Sequence, residues 1–93
     1  MKTITIQIGN SDDKLTQVEW SEYWSEVCGE ISDFDIETHF SAGSHCHAPW
    51  QNHCWVITIN ESDVQPLCNR LTEVRKRFKQ DSIALTVGDA VFI

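Results

Sequence analysis

The sequence predicts an α+β fold in the order strand, helix, strand, strand, helix, strand. Three observations predict it. Isoleucines alternate with polar residues from Thr3 to Ile8, apolar residues recur at helical spacing in 18–31 and again in 64–78, and two strand-like stretches lie between those segments. The 93 residues have room for one domain with one core, spanning 1–93. A hydrophobic content of 41%, with 10% aromatics, excludes a disordered chain.

Ile4, Ile6 and Ile8 against Thr3, Thr5 and Gln7 give the period-2 pattern of a half-buried strand. Thr16-Gln17-Val18-Glu19 matches the capping box that opens helices. Val18, Trp20, Tyr23, Trp24, Val27, Cys28 and Ile31 then form one broad apolar helix face, and Ser32-Asp33 marks its exit. Phe34, Ile36, Thr38 and Phe40 alternate with Asp35, Glu37, His39 and Ser41, predicting a second strand over 34–41. A polar loop runs from Ala42 to about Pro49. Trp50 to Ile59, with Trp55, Ile57 and Ile59 on one face, is the third strand.

Ser62-Asp63-Val64-Gln65 reads as a second capping box, with Pro66 tolerated in the first turn. Val64, Leu67, Cys68, Leu71, Val74 and Phe78 predict a second amphipathic helix ending near Lys79. Ile83, Leu85 and Val87 form the fourth strand, which Gly88-Asp89 interrupts before Ala90-Val91-Phe92-Ile93. Two split β-α-β halves with right-handed crossovers make this the ferredoxin-like βαββαβ arrangement. Its antiparallel sheet has the order 4-1-3-2, with both helices on one face. The expected core is Ile4, Ile6, Ile8, Trp20, Trp24, Val27, Ile36, Phe40, Trp55, Ile57, Leu67, Leu71, Val74, Phe78, Ile83 and Leu85.

The net charge of -7 is unevenly placed. Residues 1–63 hold 11 acids and 2 bases, while Arg70, Arg75, Lys76, Arg77 and Lys79 crowd into ten positions. A polarised surface points to an oriented partner. Direct nucleic-acid binding is disfavoured, because one short basic cluster would have to neutralise the phosphates. The first residues lack a continuous apolar run, and no stretch reaches membrane-spanning length, so the expectation is a cytoplasmic chain with reduced cysteines and no membrane partner.

The topology gathers three polar motifs at one edge of the sheet. Asn10, Ser11, Asp12, Asp13 and Lys14 follow strand 1; Trp50, Gln51 and Asn52 precede strand 3; Gln80 and Asp81 precede strand 4. Asn, Gln, Asp, Lys and Trp together are the inventory of a binding site that hydrogen-bonds and stacks. The competing reading is turn chemistry, with Asx-turns, caps and a Trp that roofs the core.

Ile6-Gln7-Ile8-Gly9-Asn10-Ser11-Asp12-Asp13-Lys14-Leu15-Thr16-Gln17, with Trp50-Gln51-Asn52, Cys54-Trp55 and Gln80-Asp81-Ser82-Ile83-Ala84, resembles a family of small, largely uncharacterised bacterial and phage proteins. The matching blocks cover about a third of the chain. The resemblance implies a compact stand-alone domain encoded by a mobile element, and carries no established activity with it. Ser44 to Pro49 departs from the family's pattern.

Cys46, His47, His53 and Cys54 are the densest group of soft ligands, but they lack a CxxC knuckle, and adjacent strand positions face opposite ways. Neither a native metal site nor any other cofactor is expected. Asp12, Asp13 and Asp81 would be the carboxylates of a metal-dependent nuclease, a third-ranked reading, since no nucleophile or triad accompanies them. Glu19, Glu22, Glu26 and Glu30 form an acidic helix stripe that could imitate a line of phosphates, against the ordinary reading of a solvated face. The leading expectation is a non-enzymatic inhibitor that occludes a host protein, one that handles nucleic acid, through this stripe or the polar edge. The alternative is a nucleotide-like small-ligand binder using the edge. The open sheet face (Thr3, Thr5, Gln7, His39, Cys54, Val56, Thr58, Ala84, Thr86) and the uncharged fourth strand further predict a homodimer.

Overall fold

A computed structural model describes residues 1–10, 13–45, 48 and 50–93. The chain forms β1 (Lys2–Gly9), α1 (Gln17–Ser32), β2 (Ile36–Gly43), β3 (Asn52–Ile59), a 3₁₀ turn (Glu61–Asp63), α2 (Val64–Arg77) and β4 (Ala84–Gly88). The antiparallel sheet has the order β2-β3-β1-β4, which is 4-1-3-2 read from the other end. The ferredoxin-like expectation therefore holds.

The core lies between the sheet and the two helices. Ile4, Ile6 and Ile8 pair across β3 with Ile57, Trp55 and His53, so the helix-side residues of the two central strands meet directly. Tyr23, Val27 and Ile31 of α1 and Leu67, Leu71 and Val74 of α2 close over them. Tyr23 packs on Phe78 at 5.1 Å between ring centroids and meets the edge of Trp20 at 6.2 Å. Leu15, Tyr23, Ile31 and Ile59 are buried core residues beyond the expected set.

Two expected core residues are corrected. Trp24 is 37% exposed, because Tyr23 takes the inward direction on α1. Phe40 is 51% exposed, and its cause is a bulge in β2. Ile36 and Thr38 pair with Ile59 and Ile57, but the register then shifts so that Phe40 pairs with Val56. One extra residue reverses the alternation, and Phe40 moves to the open face. β2 runs from Ile36 to Gly43, where the sequence pattern places it over 34–41.

The helix ends show the local chemistry. Thr16 accepts from the Glu19 N–H at 3.2 Å and Glu19 Oε1 accepts from the Thr16 N–H at 3.0 Å, the capping box the sequence predicts. That backbone hydrogen bond holds the Glu19 carboxyl below its ordinary pKa. The second capping box does not form. Asn60 opens the 3₁₀ turn, and Asp63 takes the N-cap position of α2 without a side-chain cap bond. At the other end of α2, the Gln80 N–H donates to Arg75 O and the Lys79 N–H to Lys76 O, with Lys79 at φ 56°. These are the paired bonds of a Schellman close, made here without the usual glycine.

Candidate functional site

The polar edge divides into an internal brace and a cleft. Asn10 is 1% exposed. Its Oδ1 accepts from the Leu15 N–H and its Nδ2 donates to the Leu15 carbonyl, both at 3.0 Å, while its own N–H donates to Gln51 O at 2.7 Å. Gln51 is buried too, and its Nε2 donates to Gln17 Oε1 at 2.8 Å. Asn10, Gln51 and Gln17 thus tie the exit of β1, the approach to β3 and the first turn of α1 together. Gln80 is likewise buried, donating through Nε2 to Phe78 O while Arg75 Nη1 reaches its carbonyl. Three of the residues expected to read a ligand therefore face the protein's own backbone and amides.

Trp50, Asn52 and Asp81, together with Gln51 and Gln80 of the brace, line a cleft of about 560 Å³ at the top of the sheet. Gln7, Cys54 and Ala84, neighbours in the ladder, form its floor. Trp50 stands at its rim, 66% exposed, with Asn52 and Asp81 beside it. Lys14 Nζ lies 3.4 Å from Asp81 Oδ2, an exposed ion pair linking the β1 exit to the approach to β4. Asp13 is exposed and adopts φ 56°, a conformation Asp tolerates, with its N–H donating to Asn10 O. Ser11 and Asp12 lie outside the described residues.

Below the cleft, the open face carries Thr3, Thr5 and Gln7 of β1, Cys54, Val56 and Thr58 of β3, and Ala84 and Thr86 of β4. The bulge adds Phe40 and Ala42. His39 stays on this face, its Nε2 2.6 Å from Thr58 Oγ1. Phe40 and Val56 are an apolar centre where a solvated face usually carries charge. The strand alternation in the sequence conceals this, because the bulge has no Gly or Pro to announce it.

His53 and Cys54 point to opposite faces, as their adjacency predicts. His53 is on the helix side, its ring 4.4 Å from Trp55 and 5.6 Å from Trp24, with Nε2 2.8 Å from Ser41 Oγ. Burial lowers its pKa from the ordinary value. Gly43 makes this possible, because a Cβ there would lie 2.5 Å from Asn52 O and 2.7 Å from the His53 ring. Cys46 and His47 lie outside the described residues, and among the described ones no three His, Cys, Asp or Glu cluster as metal ligands.

The acidic stripe of α1 is largely engaged from α2. Arg77 Nη1 is 3.0 Å from Glu26 Oε1, and Arg70 bridges Glu30 and Asp33. Glu19 serves the cap. Glu22 remains exposed on the same helix. The basic cluster that looked like an opposite pole is in part the counter-charge of the stripe, a pairing that only the helix-helix contact reveals.

No protein-family model and no curated protein matches the chain. Among solved structures, it is similar to a de novo designed protein, Foldit4, with a TM-score of 0.58 and 10% identity. The match covers 97% of this chain and 98% of that one. This likeness supports the fold and nothing more.

Proposed function

We propose that this protein is a non-enzymatic binding module that occludes a partner protein through its open sheet face. The observation that carries this reading is Phe40, turned out of the core by the β2 bulge onto a face whose described strand residues carry a single formal charge, Glu37. An apolar centre rimmed by small polar side chains is the composition of an interface. The partner is basic, as a nucleic-acid-handling protein is. A net charge of -7, with Glu22, Asp35 and Glu37 exposed, favours its approach. The α1 stripe then acts at long range and supplies little of the contact, since Arg70 and Arg77 already hold Glu26, Glu30 and Asp33.

Affinity capture from host lysate tests the reading. Wild type and Glu22→Gln retain the same basic protein, and Phe40→Glu loses it. Equal retention by Phe40→Glu contradicts the assignment. A second reading has one observation in its favour, the 560 Å³ cleft under the exposed Trp50, which suits a planar ligand. The two differ in salt dependence: steering of a basic protein weakens steeply with salt, while stacking in the cleft does not.

A further inference from the structure

β4 is an edge strand with a second association surface of its own. It pairs with β1 from Thr3 opposite Gly88 to Gln7 opposite Ala84, and no described residue pairs with its other side. Extending that register puts Asp89 opposite Lys2, whose Nζ is 3.1 Å from Asp89 Oδ1. Residues 91–93 then run past the first residue of β1. Val91, Phe92 and Ile93 are each 82% or more exposed, three consecutive large apolar side chains with no cover. Beside the free edge of β4, an apolar groove of about 220 Å³ opens between α2 and β4, lined by Cys68, Leu71, Thr72, Arg75, Ile83 and Leu85.

We propose that a second copy of this chain covers this edge: segments 83–93 of two copies pair antiparallel about a two-fold axis at Gly88, joining two four-stranded sheets into one of eight strands.

The register follows from the pleat. In such a sheet the helices of both copies lie on one side, so helix-side residues must stand opposite helix-side residues. Leu85 and Val87 pair with Ile6 and Ile4 and are therefore helix-side. The alternation continues to Val91 and Ile93, with Phe92 on the open face. Centred on Gly88, Val91 of one copy stands opposite Leu85 of the other, and Ile93 opposite Ile83, at the groove. Phe92 stands opposite Ala84, large against small. A slip of one residue would turn Val91 and Ile93 away from the groove.

The seam is also free of obstacles. A side chain built at Gly88 meets nothing within 4 Å, so a cysteine fits there without disturbing the strand. Asp89 is the single charged residue from Ile83 to Ile93, and Lys2 neutralises it locally, so the net charge of each copy acts only at a distance. In the seam, Val91 and Ile93 of each copy, exposed in the single chain, are covered at the groove of the other. The free edge of β4 gains ladder partners as well.

Sedimentation velocity and cysteine cross-linking test the proposal. Wild type is expected to be a dimer at high micromolar concentration, and deletion of residues 91–93 to give a monomer with unchanged circular dichroism. Gly88→Cys is expected to form a covalent dimer under mild oxidation that Thr86→Cys does not, because the register separates the two Thr86 positions. A wild-type monomer at all concentrations overturns the proposal, as does a dimer that survives the deletion, or equal cross-linking by the two cysteine variants. A monomer whose Tm falls on deletion assigns the tail to its own edge and overturns it too. Phe40→Glu leaves the seam intact, so this proposal and the partner reading fail separately.

Discussion

Asn10 hydrogen-bonds both backbone groups of Leu15, and removing its amide strands both. Asn10→Ala is therefore expected to destabilise the fold by about 2–6 kcal/mol, at about 1–3 kcal/mol for each of the two buried groups left unpaired. Urea denaturation measures this; unchanged stability would return Asn10 to the role of ligand reader. His53 makes a second expectation at this scale. Its folded pKa is lowered by burial, so the unfolded chain binds more protons once the pH drops below the ordinary value of 6.5. Its contribution is complete above 6.5 and is lost as the pH falls through the folded pKa. The Tm should decline on acidification through that window, and His53→Gln should flatten the decline. The site residues were legible in the sequence as a spatial group, because topology alone places 10–14, 50–52 and 80–81 at one edge. Their direction was not. An amide offers the same donors and acceptors to a backbone as to a ligand, so composition could not separate Asn10, Gln51 and Gln80 from Asn52.

The helices and central strands were readable from periodicity because each buries one continuous face. Ile4, Ile6 and Ile8 keep strict alternation, and Leu67, Leu71 and Val74 keep a helical stripe. Where the period breaks, the sequence misleads. The bulge reverses β2 after Thr38, and Tyr23 displaces Trp24 from the core. Trp55→Ala should accordingly cost about 3–5 kcal/mol as a buried truncation, and Trp24→Ala about 1–2 kcal/mol, since much of its surface is already wet. Equal losses in thermal melts would contradict the assigned faces. The close of α2 offers the opposite kind of test. Lys79 holds φ 56°, where a side chain is strained and glycine is not. Lys79→Gly is expected to raise stability by about 0.5–1 kcal/mol, the relief of left-handed strain less the entropy of glycine; a loss would show that the Lys79 side chain contributes more than its backbone costs.

Across the whole molecule, charge and shape separate into two surfaces. The helix side is closed, with Arg70 and Arg77 of α2 paired to Glu26, Glu30 and Asp33, while the sheet side is open, nearly uncharged along its strands and centred on Phe40 and Val56. The acidic polarity seen in the sequence led to the helix because sequence distance hides the Arg70–Glu30 and Arg77–Glu26 contacts. The proposed partner contact lies on the open face, and Cys54 lies within it. The most direct measurement is the alkylation rate of each cysteine-containing peptide by mass spectrometry, in buffer and in host lysate. In lysate, Cys54 is expected to be protected while Cys28 and Cys68 on the helices react as in buffer. A Cys54 rate that is the same in both, or protection confined to the helix cysteines, would contradict the account.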